Sequence, residues 1–206
     1  MPEALTATID PMATSTSWAP WGGFRAEEVS TVRPRAPLED LKLRQALQAF
    51  DAARSWEESR AASARALALG PEVVPSVLAE LSEPQPPERD DLLIALLLQW
   101  TSPDQLIALG LSVDASAHLR AAIAEALGHR ARDAQGPPEV RQRIAAMLAQ
   151  LARDDDPGVR VTAVEAIGLA GLGTPEIEGL LREIAATDGN EAVRNEAKAV
   201  LKETSK

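Results

Sequence analysis

The stretch "DDDPGVRVTAVEAIG", residues 154–168, decides the fold, because a fainter copy follows as "DGNEAVRNEAKAVL", residues 188–201. Each copy contains a polar turn that begins with Asp, a Val-Arg pair and an alanine-rich apolar stripe. With Arg160 aligned to Arg194, the repeat is 194 − 160 = 34 residues long. An earlier stretch, "LRAAIAEALG", overlays the first copy when Arg120 is aligned to Arg160, a step of 160 − 120 = 40 residues. The chain therefore contains an internal repeat.

The apolar residues of the copies have helical spacing. They occur at i, i+4, i+7 and i+8, which lie on one face of an α-helix. They are Leu119, Ile123, Ala126 and Leu127, then Val159, Ala163, Ala166 and Ile167, then Val193, Ala197, Val200 and Leu201. Two further stripes lie between the copies, namely Val140, Ile144, Leu148 and Leu151, and Ile177, Leu180, Leu181 and Ile184. Helix pairs of this kind bury their apolar faces only by stacking on one another, so the repeat predicts a stack of helix pairs.

From Leu38 onward the sequence indicates short helices separated by turns, without an alternating strand pattern. We predict helices over 38–52, 55–69, 71–82, 88–100, 103–111, 115–130, 138–153, 157–170, 175–187 and 190–203. Asp156 and Thr174 are predicted N-caps, each followed by a proline at a first helical position. Gly70 and Gly128 are expected near helix ends. The predicted fold is all-α, an α-solenoid of about five helix pairs with a degenerate first unit as end cap.

Residues 1–37 differ from the rest, since they are rich in Thr, Ser, Pro and Gly and show no helical stripe. We expect an irregular N-terminal tail at 1–37 and a repeat domain at 38–206. The tail contains "SWAPWGGF", in which Trp18, Trp21 and Phe24 are spaced by three. These aromatic residues either cover an end of the solenoid or anchor a partner. Trp56 and Trp100 fall on helical stripes and are expected in the core.

The composition restricts the function. Among 206 residues, 31 are acidic and 21 basic, a net charge of −10, which disfavours binding to nucleic acid and to anionic membranes. The absence of cysteine excludes disulfides, thiolate metal sites and cysteine nucleophiles. The N-terminus lacks signal-peptide features, and the longest apolar run, residues 92–100, is too short to span a bilayer. We therefore expect a cytoplasmic protein without membrane insertion, and the many Ala and Arg residues suggest a bacterial source.

The patterns "VRxxAxxAIG" and "LRxxIxxALG", with Asp-Pro before the helix, resemble HEAT repeats, especially the phycobilin-lyase-type HEAT-like subclass. The resemblance covers residues 115–203 well, extends to 38–114 and does not include the tail. It implies an α-solenoid with a concave binding surface. It also implies a use, because HEAT-like repeats typically serve as protein-binding scaffolds, while some resemble chromophore lyase subunits and some distant relatives bind DNA.

Arg120, Arg160 and Arg194 recur at one helical position beside the buried stripe. Such an arginine ladder could hold acidic partners or phosphates. Alternatively, each Arg bonds an acidic side chain or a helix end of the adjacent repeat, which the overall acidity favours. We predict this second, structural ladder.

No residues carry a convincing catalytic or metal-binding pattern. Asp154, Asp155 and Asp156 lack the alternate spacing of a calcium loop, and helix capping explains them. His118 and His129 lie about 16 Å apart along one predicted helix and cannot chelate one ion unaided. We expect no catalytic residue, metal or cofactor.

The remaining exposed positions of the Arg-bearing helices suit the docking of a helix or an extended peptide. They are Ala121, Ala122, Glu125, Val161, Thr162, Glu165, Asn195, Glu196 and Lys198. We predict a non-enzymatic scaffold or adaptor that binds another protein on its concave face. One alternative is a lyase-like subunit that holds a tetrapyrrole chromophore. The other is a HEAT-like DNA-repair protein, against which the negative charge argues.

Overall fold

The computed structural model describes residues 37–112, 114–133 and 137–204. Ten α-helices and one 3-10 turn form within these residues, and no strand occurs among them. The helices are α1 Pro37–Asp51, α2 Trp56–Leu67, α3 Val74–Glu80 after the 3-10 turn Pro71–Val73, α4 Pro87–Trp100, α5 Pro103–Gly110, α6 Ala117–Asp133, α7 Pro138–Leu151, α8 Pro157–Leu169, α9 Pro175–Thr187 and α10 Glu191–Thr204. The tail residues Trp18, Trp21 and Phe24 lie outside the described residues.

The helices pack as five consecutive pairs, from α1–α2 to α9–α10. The even-numbered helices form one layer, in which α2, α4, α6, α8 and α10 each contact the next. The odd-numbered helices form the second layer, with α1 against α3, α5 against α7 and α7 against α9. The main contacts thus join neighbouring pairs, as in a solenoid. The predicted all-α solenoid of about five pairs is confirmed for the described part of the chain.

Local signals begin the helices. The Asp156 carboxylate accepts hydrogen bonds from the N–H groups of Gly158 and Val159 at 2.8 and 3.2 Å, and the Thr174 hydroxyl accepts one from Ile177. Prolines occupy the first turns of both helices, where a missing N–H breaks no helical bond. Both predicted N-caps are confirmed.

The predicted apolar stripes lie in the core between the two layers. Ile123, Leu127, Ile144 and Ile167 are at most 1% exposed. Only Val140 and Leu201, at the ends of their stripes, are partly buried. One continuous core cluster runs from α1 to α10, so each pair is stabilised by the burial that its neighbours provide.

The expectation that Gly128 lies near a helix end is wrong. Helix α6 continues to Asp133, and Gly128 is buried inside it. A Cβ atom at Gly128 would lie 2.8 Å from the Ala166 Cβ atom, and one at Gly168 would lie 2.8 Å from a Val200 methyl group. These glycines let α6 approach α8, and α8 approach α10, more closely than a side chain would permit.

The expectation that Trp56 lies in the core is also wrong. Trp56 is 69% exposed, with the Arg60 guanidinium 5.2 Å from its ring centroid. It is the first residue of α2, and only one side of this helix packs against α1 and α4. Trp100, by contrast, packs partly buried against the core, as expected.

Candidate functional site

Two arginines of the repeat join neighbouring helix pairs. Arg120 donates through Nε and Nη2 to the two carboxylate oxygens of Asp154, both at 2.7 Å. Arg160 donates in the same way to Asp188, both at 2.9 Å. Asp154 lies in the turn before α8, and Asp188 lies in the turn before α10. Each ion pair therefore connects one Arg-bearing helix to the turn that begins the next one. These contacts support the structural interpretation of the ladder.

The aspartates are fully engaged by their own chain. Asp154 also accepts the N–H of Asp156 at 2.9 Å, and Asp188 accepts that of Asn190 at 2.8 Å. The hydrogen bonds from Arg120 and Arg160 lower the pKa of the Asp154 and Asp188 carboxyl groups, respectively. Their side chains are only 12% and 8% exposed, so these carboxylates leave little surface for a partner.

Arg194, the third arginine of the ladder, makes the contact to a backbone carbonyl but, in the described part of the chain, not the contact to a carboxylate. Arg194 donates through Nη1 to the Asp188 carbonyl at 2.6 Å, as Arg160 does to the Asp154 carbonyl at 2.9 Å. No carboxylate bonds the Arg194 guanidinium within the described residues, because no further pair follows α10 there. Arg194 is therefore the last member of the ladder within the described residues.

A second row of contacts stabilises the C-terminal ends of α2, α4, α6 and α8, and sequence reasoning missed it. Long polar side chains donate to the last carbonyl groups of the even-numbered helices and to the residues just after them. The bonds run from Gln99 to Leu67, from Arg130 to Leu98 and Thr101, and from Arg141 to Ala131 and Ala170. Burial lowers the pKa of Arg130. The sequence repeat does not reveal this row, because the residue 40 positions after Arg130 is Ala170, which has no polar side chain.

The predicted partner face carries a row of carboxylates, which we call the glutamate row: Glu125 on α6, Glu165 on α8 and Glu196 on α10. Burial raises the pKa of Glu165, and the charges of Glu196 and Glu125 raise it further. Burial also raises the pKa of Glu125, chiefly opposed by His129, whose Nε2 lies 3.7 Å from the carboxylate. The row thus brings mutually repelling charges together on adjacent helices.

No lysine or arginine of the described chain forms an ion pair with Glu165 or Glu196. Near them, Thr162 donates its hydroxyl to the Gly158 carbonyl at 3.1 Å, and Asn195 is exposed. Ala122, expected on this face, is only 6% exposed, because it packs into the core. The face therefore consists of carboxylates, the exposed Lys198 and short polar and apolar neighbours. Its carboxylates can bind a cation-bearing surface, and its described residues form no catalytic constellation.

The surface also contains cavities, which lie away from the glutamate row. One of about 330 Å³ is lined by Arg153, Asp155 and Glu183 near the α7–α8 turn. A larger one of about 650 Å³ lies between α7 and α9 in the odd layer, with Ala145, Ala149 and other small residues in its wall. Among the described residues, no group of three potential ligands could hold a metal ion, and no helix has the length and apolarity to cross a bilayer.

Comparison with known proteins agrees with this geometry. Residues 103–202 match the family described as HEAT repeats. The solved complex of CpcE and CpcF of phycocyanin lyase from Nostoc sp. PCC7120 is similar, with 20% identity, a TM-score of 0.51, and coverage of 78% of this chain and 98% of that chain. None of the curated proteins matches the chain. The described part of the chain is therefore an α-solenoid, whose residues 103–202 are similar to HEAT repeats.

Two designed armadillo repeat proteins are more distant in structure. One, designed for modular peptide recognition, has 18% identity and a TM-score of 0.41, with 85% of this chain and 93% of that chain covered. The other has 19% identity and a TM-score of 0.37, with 89% and 96% covered.

Proposed function

We propose that this protein is a non-enzymatic scaffold or adaptor that binds a protein partner on the face of α6, α8 and α10. The glutamate row supports this proposal most directly. Its charges stand close together on three adjacent helices, and two of its members have pKa values raised by burial and by neighbouring carboxylates. By resemblance to HEAT repeats, this face is the concave one.

The charge of the face indicates the chemistry of the partner. Carboxylates held near one another repel, and a cation brought between them replaces that repulsion with attraction. A helix or extended segment that presents Lys or Arg side chains would fit the row. The Arg120–Asp154 and Arg160–Asp188 pairs favour such binding, because they fix the relative positions of the three helices before the partner arrives. We place this function in the cytoplasm of a bacterium, without a cofactor.

A capture experiment with charge-matched baits tests the proposal. The variant E125Q/E165Q/E196Q removes the row, whereas E72Q/E139Q/E176Q removes three exposed carboxylates elsewhere. We expect one protein of the host lysate to bind the wild type and the control but not the row variant, with binding that weakens as salt rises. A partner that binds all three baits equally would place the site elsewhere, and the absence of any captured protein would contradict the scaffold function.

The second candidate function is a lyase-like subunit that handles a bilin chromophore. The similarity in fold to the CpcE–CpcF complex suggests this candidate. Mixing the purified chain with a free bilin tests it, because a protein that extends and rigidifies the pigment changes its absorption spectrum. An unchanged spectrum would eliminate this candidate.

A further inference from the structure

The two ends of the even-numbered layer are built differently. Helix α10, the last in the layer, carries polar residues on the side opposite its buried stripe. They are Glu191, Asn195, Lys198 and Lys202, all exposed. A solenoid needs such a polar outer side where its stack ends, because no further unit covers it. The outer side of α10 is therefore polar.

The first helix pair, which the sequence predicts to be an end cap, exposes large apolar side chains within the described residues. Trp56 is 69% exposed and Leu41 is 46% exposed, and these are two of the four exposed large hydrophobic residues in the described chain. Exposed alanines continue the surface along α2, on the side opposite the buried Ala62 and Ala66. They are Ala61, Ala64 and Ala68. Charged residues such as Glu57 and Arg65 interrupt this surface as others do on α10, but α10 exposes no large apolar side chain. The N-terminal end therefore presents apolar area that a cap would normally cover.

The chain has a segment at this same end that suits the surface. The described structure begins at Pro37, the first residue of α1, and 36 residues precede it. Phe24 lies 37 − 24 = 13 residues before Pro37, a reach of about 40 Å when extended. Helix α1, with 15 residues, is only about 22 Å long. The aromatic residues of the tail can therefore reach the whole first pair.

We propose that residues 17–24, "SWAPWGGF", dock on the first helix pair around Trp56 and close the N-terminal end of the stack. Trp18, Trp21 and Phe24 are large apolar groups in an otherwise polar stretch. Aromatic side chains gain most from packing against another ring and apolar surface. The Trp56 ring offers such a packing surface, because most of the residue is exposed even with the Arg60 guanidinium 5.2 Å from the ring centroid. The proposal is independent of the partner site on the glutamate row.

Spin labelling of the full chain tests the proposal, and the absence of native cysteine makes it clean. A64C carries a nitroxide at the proposed docking surface, and K198C carries the control label on α10. The chain has four tryptophans, whose indole N–H signals are assigned by single Trp→Phe variants. We expect the label at position 64 to broaden the signals of Trp18 and Trp21, and the label at position 198 to leave them unchanged.

Further samples test whether the tail docks around Trp56 and whether it docks on its own chain or on a second copy. W56A removes an exposed ring without opening the core. We expect it to abolish most of the broadening that the label at position 64 causes in the Trp18 and Trp21 signals. Signals of Trp18 and Trp21 that are unaffected by the label at position 64, or affected equally by both labels, would overturn the proposal. Broadening in a mixture of isotope-labelled chain with separately spin-labelled chain would overturn it as well, because the tail would then dock on a second copy.

Discussion

Arg160 shows how one side chain connects two repeats. Its guanidinium donates to both carboxylate oxygens of Asp188 and to the carbonyl groups of Asp154 and Asp155. Only arginine supplies several donors in a fixed plane, so a lysine at this position could not make the bidentate contact and the carbonyl contacts together. The recurrence of Arg beside the apolar stripe follows from this geometry.

We expect D188N to lower the free energy of unfolding by about 2 kcal/mol, because it removes the charge from a bidentate hydrogen-bonded pair. The side chain of Asp188 is only 8% exposed, so water replaces little of the lost interaction. Chemical denaturation at pH 7 measures the change. D155N is the matched control, since the Asp155 side chain is exposed and should change stability by no more than about 0.5 kcal/mol. Equal effects of the two substitutions would contradict a structural role for the ladder.

Helices could be predicted to within a few residues where their ends depend on local chemistry. Asp156 before Pro157 sets the start of α8 as predicted. The predicted helix over 71–82 instead became a 3-10 turn followed by the short helix α3. A continuous α-helix would require the N–H of residue 75 to bond the carbonyl of residue 71, and Pro75 has no N–H group. Pro75 is thus the local signal in the sequence for the end of the 3-10 turn and the start of α3.

The approach of α6 to α8 depends on Gly128, and we expect G128A to destabilise the protein by about 1–2 kcal/mol. Alanine favours a helix over glycine by about 1 kcal/mol, but here its Cβ atom would lie 2.9 Å from the Ala166 Cα atom. The two helices would have to move apart, which typically costs about 1–3 kcal/mol.

Gly179 in α9 provides the control for G128A, because nothing lies within 4 Å of a Cβ atom there. We expect G179A to stabilise the protein by about 0.5–1 kcal/mol. Thermal or chemical unfolding of both variants gives the comparison. Stabilisation by both substitutions would show that the two helices are not held in close contact.

Two groups of carboxylates give the whole molecule opposite responses to pH. Asp154 and Asp188 have lowered pKa values, so they stabilise the fold above the unfolded value of about 3.9, and this contribution is lost as the pH falls through their folded values. Glu125 and Glu165 have raised pKa values, so they destabilise the fold at neutral pH. That penalty is relieved as the pH falls through their folded values towards about 4.3.

We therefore expect D154N/D188N to change how the free energy of unfolding depends on pH only at acid pH. Its stability deficit relative to the wild type should be constant between pH 5 and 7 and should shrink below about pH 4, because there the wild type also loses both ion pairs. Unfolding free energies measured from pH 7 to pH 2.5 test this. A deficit that stays constant to the lowest pH would mean that the ion pairs do not depend on ionised aspartates.

The sequence alone determined the class of fold, because the spacing of Val159, Ala163, Ala166 and Ile167 requires a helix and its recurrence requires neighbours that bury the stripe. It also indicated that Arg160 would bond an adjacent repeat. It did not choose Asp188 as the partner, nor reveal that Gly128 is a contact between helices. Those features depend on distances between segments far apart in the chain, which periodicity along one helix does not contain.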